Sequence, residues 1–315
     1  MGKKHETQLF YERLEKKGVS RREFLKYCTA LTVTMGLTAS STGQVVKAIE
    51  NAGTTLRLPV VWLHFAECTG CSEAFLRTPN VGAIILETIS VEYHETIMAA
   101  AGHQAEKSLH DAVEKYDGKF VCIVEGAIAT RYNGAYGKVA NRTFLDMAQS
   151  IVPRAAAVIS LGSCASYGGL PAAAPNPGGY KGVQDAIGVA TINIPGCPPN
   201  PLNLFSTIVK HLNKEEIPLD GQGRPLFAYA DTVHDHCPRL VHFEHDKYVE
   251  EFGSKEAEMG YCLYKMGCRG PETYNNCPTA KFNDGTSFPI QAGHPCIGCS
   301  EPGFWDSMTP FYEES

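Results

Sequence analysis

The chain has 315 residues, 43 % of them hydrophobic and 20 % charged, a globular balance that can bury a real core and a length that favours two domains. A net charge of −6, with no basic block or aromatic–basic stripe, argues against nucleic-acid binding and reads most simply as solubility. Twelve cysteines, six of them in the last 79 residues, are not needed as staples in a chain this long, so metal ligation leads over disulfides.

In chain order, the first signal is "SRREFLK" at 20–26, paired arginines ahead of Phe-Leu and a lysine. A mildly apolar stretch follows at 27–37, and Val46-Lys47-Ala48 offers small or aliphatic residues at the two positions a signal peptidase reads. Residues 1–48 therefore read as a twin-arginine signal peptide, an address rather than structure, that exports a folded protein to the periplasm. The competing reading is a chance Arg-Arg before a buried helix. The apolar stretch falls well short of the roughly 20 residues a bilayer span needs. Cleavage after Ala48 would take the net charge from −6 to −11 and remove Cys28, leaving an odd number of cysteines that fits poorly with full disulfide pairing.

Short apolar runs then predict strands at 56–65 (weakened at its start by Pro59), 83–93, 119–126, 155–164 and 190–197. Helix-like segments at 95–116 and 141–151 separate some of them. Such alternation implies a parallel sheet with helices on both faces, and its spacing suits an α/β, flavodoxin-like doubly wound domain over 49–223. In these sheets ligands collect beyond the carboxyl ends of the strands. Cys68 and Cys71 follow the first strand, Cys164 ends the fourth and Cys197 the fifth, so four thiols reach one edge. Four thiolates hold zinc or a 4Fe–4S cluster. Structural zinc usually draws on two knuckles close in sequence. Cys164 and Cys197 lie singly, 96 and 129 residues after Cys68, which suits a bulky cluster. A thioredoxin-like pair at Cys68 and Cys71 would leave the other two unexplained. Gly70, Gly162, Gly169 and Gly196 beside these thiols read as tight turns or as close backbone approach to a cluster. Cys122, inside an apolar strand, reads as an inert core thiol.

From about 224 the periodicity fades and Cys, His, Gly and Pro become dense. This predicts a smaller, irregular iron–sulfur domain over 224–315, cross-linked by its metal clusters. Its ligand-type residues divide into two sets. His234, Cys237, Cys262 and Cys268 make a four-ligand site that also suits zinc, with His236 the rival to His234. Cys277, Cys296 and Cys299 make a three-ligand site, suited to a 3Fe–4S cluster or to a four-iron cluster with one foreign ligand. The remaining cysteines are then Cys28 and Cys122 alone.

The motifs "AECTGCSE", "GSCASYGG", "NIPGCPPNP", "HDHC", "CLYKMGCRGPETYNNCP" and "FPIQAGHPCIGCSEPGFWD" resemble the small subunit of periplasmic nickel–iron hydrogenases, over essentially the whole chain. The resemblance implies three clusters in a row. Cys68, Cys71, Cys164 and Cys197 match the proximal 4Fe–4S ligands, Cys277, Cys296 and Cys299 the medial 3Fe–4S ligands, and His234, Cys237, Cys262 and Cys268 the distal 4Fe–4S ligands. It favours His234 over His236, and it puts Pro289 in the region where that family lacks a fourth medial cysteine. Oxygen-tolerant relatives carry two additional cysteines where this chain has Gly70 and Gly169, so the chain resembles the standard, oxygen-sensitive type. It also resembles soluble relatives, which lack the C-terminal transmembrane helix of membrane-bound ones.

The function this implies is electron transfer within a heterodimer. The nickel–iron catalytic centre sits in a separate large subunit, no residue of this chain is catalytic, and electrons pass from proximal to medial to distal cluster and on to a cytochrome c type carrier. Neutral His234 in place of a thiolate should raise the distal potential. Glu67 and Glu73 are read first as solvated or interface carboxylates, with proton handling beside the partner's active site as the sharper alternative. Three other readings compete. An electron-transfer subunit related to the cluster-bearing subunit of respiratory complex I is disfavoured by the export signal and second domain. A hydrogen-sensing regulator should lack an export signal. A zinc-stapled binding module would be separated by iron and sulfide analysis.

Overall fold

A computed structural model describes residues 3–54 and 57–313. The first two residues of the expected leader, the expected strand's residue 56 and residues 314–315 lie outside them. Five strands form the main sheet: β1 (Leu58–His64), β2 (Ile89–His94), β3 (Val121–Glu125), β4 (Ala157–Leu161) and β5 (Ile192–Ile194). All are parallel and their order is β2-β1-β3-β4-β5. The order reverses beside β1, as expected of a flavodoxin-like doubly wound sheet.

Period-two alternation explains the layers. Val60 and Trp62 of β1 face one core with Ile84 and Ile85 of α5 (Pro79–Thr88) and Phe205 and Ile208 of α10 (Pro201–Leu212). Val61 and Leu63 face the other, with Leu109 and Val113 of α6 (His103–Lys115) and Met147 and Ile151 of α7 (Phe144–Ile151). Pro59 sits ahead of the β3 pairing, which begins at Val60, so its missing N–H interrupts no central ladder there.

Two expected elements differ. The run 83–93 is not one strand: α5 takes its first half and β2 only the second. A proline at the start pre-sets the helix, and an unbroken apolar run cannot separate a buried helix from a strand. The helix expected at 95–116 is only α6, because the chain leaves β2 through a turn at 95–97 and passes Gly102 at φ +54. Residues expected to be an address without structure are folded: α1 (Lys3–Lys16), α2 (Arg21–Thr34) and α3 (Thr42–Thr54) join the α5 and α10 core.

Beyond α10 the elements shorten to single turns such as Leu226–Tyr229, Leu240–Glu244 and Cys277–Ala280. A small third core of Val233, Val249, Leu263, Met266, Phe288 and Ile290 holds this region. Arg224 ties it to the sheet domain. Its buried guanidinium pairs with Asp220 at 2.7 Å and with Glu301 at 2.9 Å. Among the described residues no helix is long and apolar enough to cross a membrane.

Candidate metal centres

The carboxyl ends of β1, β4 and β5 bring Cys68, Cys71, Cys164 and Cys197 to one edge of the sheet. Cys68 lies in the loop after β1, and Cys71 in the first turn of α4 (Gly70–Leu76). Cys164 sits in the short helix α8 (Ser163–Tyr167) just past β4, and Cys197 follows Gly196 after β5. Cys68 and Cys197 are exposed, so this edge is open. Two glycines are there for space. A Cβ on Gly162, at φ +87, would stand 2.5 Å from Cys71 Sγ, and one on Gly169, at φ +48, would stand 3.1 Å from Cys164 Sγ. At Gly162 the backbone lies closer to sulfur than a side chain allows, and at Gly169 the fit is tight.

Sequence reasoning missed Glu125, the last residue of β3. Its buried carboxylate accepts the backbone N–H of Cys71 at 3.0 Å and the hydroxyl of Ser72 at 2.6 Å. Ser72 Oγ also meets His94 Nε2 at 3.2 Å, and the His94 ring lies 4.5 Å from that of His64. Burial, then the neighbouring His64, holds His94 down to about 3, so it is neutral. The signal for Glu125 was a charge closing the apolar run "FVCIVEG", aimed at the edge where the cysteines gather. Glu67 Oε1 lies 3.3 Å from His64 Nδ1, whereas Glu73 is exposed and paired with Arg77 at 2.7 Å.

The second set, Cys277, Cys296 and Cys299, lines a cleft of about 590 Å³ with Cys197, Phe288 and Pro289. Pro289 forms part of the cleft wall. The third set closes on itself: His234, Cys237, Cys262 and Cys268 line one small cavity with Arg239, Tyr264 and Gly270. His236 does not enter it; its Nε2 lies 3.0 Å from Asp231 at the surface. Cys28 and Cys122 are buried in the apolar cores and line neither cavity.

The sets touch end to end. Ser163, beside Cys164, donates its hydroxyl to the Cys299 carbonyl, and Cys197 lines the same cleft as Cys299. On the far side the Cys296 N–H donates to Cys268 Sγ at 3.4 Å. Burial pushes the thiol of Cys164 up to about 11 and of Cys296 to about 12, neighbouring thiols adding to it. Burial likewise raises Cys71, Cys277, Cys299, Cys237, Cys262 and Cys268. Such groups become thiolates when a metal supplies the compensating charge.

Spacing argues for clusters over single ions. Four thiolates on one zinc, at about 2.3 Å each, stand about 3.8 Å apart. Among the described residues, the one set of three His, Cys, Asp or Glu side chains with ligand atoms all within 4.8 Å is His64, Glu67 and Glu125. No cysteine set is that tight. An iron–sulfur cluster seats each ligand on a different iron and spreads them further.

Comparison with known proteins decides the family. Residues 229–312 match the family of C-terminal regions of NiFe/NiFeSe hydrogenase small subunits, and residues 68–211 match the NADH ubiquinone oxidoreductase, 20 Kd subunit family. The chain is 55 % identical, over 96 % of both chains, to the periplasmic NiFe hydrogenase small subunit 1 of Nitratidesulfovibrio vulgaris. The chain belongs to the nickel–iron hydrogenase small subunits. It is 47 % identical to the quinone-reactive Ni/Fe-hydrogenase small chain of Wolinella succinogenes, over 95 % of this chain and 85 % of that one. Among solved structures it superposes on the Ni-Fe-Se hydrogenase of Desulfomicrobium baculatum with a TM-score of 0.75 and 34 % identity, covering 82 % of this chain and 100 % of that one. As a member of this family it is the electron-transfer subunit of a heterodimeric hydrogenase, whose catalytic centre is in the large subunit. The second family match accounts for the complex I alternative: that likeness lies in the sheet domain, and the cysteine-rich remainder is hydrogenase-type.

Proposed function

We propose that this chain carries electrons from hydrogen oxidation in the large subunit through three iron–sulfur clusters to an external carrier of the cytochrome c type. Cys68, Cys71, Cys164 and Cys197 would hold a proximal 4Fe–4S cluster. Cys277, Cys296 and Cys299 would hold a medial 3Fe–4S cluster, and His234, Cys237, Cys262 and Cys268 a distal 4Fe–4S cluster. Bound clusters supply one-electron exchange at iron. The chain's own residues fix the ligands and their order: Glu125 anchors the Cys71 turn, and Ser163 joins the first set to the second. The observation that carries the reading is this contact sequence: a hydrogen bond from Ser163 to the Cys299 carbonyl joins the first set to the second, and one from the Cys296 N–H to Cys268 Sγ joins the second to the third.

The same reading divides the chain into a twin-arginine leader (1–48), a flavodoxin-like domain (49–223) and a C-terminal iron–sulfur domain (224–315). It puts the mature protein in the periplasm, which the names of the similar periplasmic subunits support. Gly70 and Gly169 in place of extra cysteines support the standard, oxygen-sensitive type.

The test is electron paramagnetic resonance of the native complex, oxidised and then reduced under hydrogen, with iron and nickel counted on the same sample. A three-iron signal when oxidised, about eleven cluster irons and nickel in the partner are expected. Zinc without iron would refute the relay. Iron without nickel would leave the relay standing and refute the partner.

A further inference from the structure

Residues 3–54 cover a specific face of the sheet domain. Phe10, Leu14, Phe24, Cys28 and Leu31 are completely buried, and they share one core with Ile84 and Ile85 of α5 and Phe205 and Ile208 of α10. The fit is close: a Cβ on Gly53 would come within 2.5 Å of the Phe10 ring. A buried carboxylate locks the contact. Glu87 of α5 is only 2 % exposed and receives Arg13 at 2.6 Å, Lys17 at 2.7 Å and Arg57 at 2.8 Å. Arg13 also donates to the Gly53 carbonyl at 2.7 Å, and Tyr11 donates to Glu50 at 2.6 Å.

Within this cap, two stretches are treated oppositely. Arg21 and Arg22 open α2 behind a Ser20–Glu23 capping box and are exposed, so a receptor can read them while the cap is docked. Residues 46–48 lie in the middle of α3. Val46 and Ala48 pack against the core, and Ile49 is 1 % exposed. A peptide bond that is helical and packed is a poor protease substrate until the segment opens.

We propose that the face formed by α5 and α10 is a docking surface for the chain's own leader, latched at Glu87, and that docking shields the Ala48–Ile49 bond until the cap is released. This rests on reading residues 1–48 as a cleaved leader. Release takes away Arg13 and Lys17, leaving Arg57 as the cation of those three on Glu87. The shield and the latch are therefore lost together.

The test uses the full-length precursor with its large subunit, kept in the cytoplasm of an export-blocked strain. Hydrogen exchange is followed by mass spectrometry, and cleavage by purified signal peptidase is timed on the same samples. Wild type should show protected amides in α2 and α3 and slow cleavage. Leu14→Asp, which alters only the leader side, should remove that protection and speed cleavage roughly tenfold or more, with β1–β5 unchanged. Glu87→Gln should act in the same direction, more weakly. Coil-like exchange of α2 and α3 in the wild type, or cleavage as fast as in Leu14→Asp, would overturn the docking. The mass of the exported chain tests the premise separately: an exported chain that keeps residues 1–48 would overturn the leader reading whatever the exchange data show.

Discussion

Gly162→Ala is the sharpest test of the proximal site, because one methyl group separates packing from ligation. Gly162 has φ +87 and ψ 160, and an alanine there costs about 1–3 kcal/mol of backbone strain, which a domain of this size survives. The contact matters more. The new Cβ would stand 2.5 Å from Cys71 Sγ, about 1 Å inside an ordinary contact. A ligand sulfur tolerates displacements of about 0.2 Å before coordination suffers, so the overlap is roughly fivefold too large. Cys71 cannot easily yield, since its backbone N–H is held by buried Glu125 at 3.0 Å. The expected outcome is loss of one four-iron centre, leaving about seven irons, with the three-iron and distal signals kept. Iron counting and electron paramagnetic resonance on the purified heterodimer read this directly. A variant with the full iron complement and wild-type hydrogen oxidation would refute the assignment of Cys71 to a cluster on the Gly162 side.

Three further outcomes are expected. Glu125→Ala strips two backbone N–H groups and the Ser72 hydroxyl of their acceptor in a buried site and should cost about 3 kcal/mol, read as a lower midpoint in denaturant titration. Arg224→Ala leaves Asp220 and Glu301 facing a vacated buried position and should cost about 3–5 kcal/mol, with early exposure of the cysteine-rich region to protease. Burial raises the Glu87 carboxyl, but its bonds to Lys17 and Arg13 outweigh this and hold it below its ordinary value. Its contribution to docking is thus full above that ordinary value and is lost as pH falls through the depressed one. Protection of α2 and α3 in the precursor should fall at acid pH in wild type and stay flat in Glu87→Gln.

The sheet was legible because its signals are local. β1, β3, β4 and β5 each lie within the expected runs, and Gly or Pro punctuation after the strands marks the turns that carry Cys68, Cys164 and Cys197. The break inside 83–93 was not, because Ile84, Ile85 and Ile89 are all buried and no polar period separates helix from strand. The grouping of the cysteines was legible because thiols in a long chain admit few uses. The residues that position them were not. Glu125 and Ser163 are ordinary residue types, and their roles arise only when β3, α4 and the second domain meet in space. The fold of residues 3–54 was hidden for another reason. A leader is recognised by its order of charge, apolar stretch and small residues, and that pattern carries no information about what its apolar side rests on.

The relation between clusters and folding gives a last expectation. The sheet domain has apolar cores on both faces of β1–β5, including Trp62, Phe120 and Phe205, all fully or almost fully buried. The region beyond 224 rests on Val233, Val249, Leu263, Met266, Phe288 and Ile290, and ligand cysteines make up part of that same core: Cys268 is within it, and Cys237, Cys277 and Cys296 pack on it. On the proposed ligand assignment, removing iron takes cross-links from the second region and leaves buried thiols that must stay protonated or take in water. The sheet loses ligands only at one open edge, where Cys68 and Cys197 are already exposed. Iron-depleted protein should lose hydrogen-exchange protection over 229–312 while β1–β5 stay protected. If both regions lose protection together, cluster binding is coupled to the whole chain; if neither does, the small core suffices and the clusters are not its cross-links.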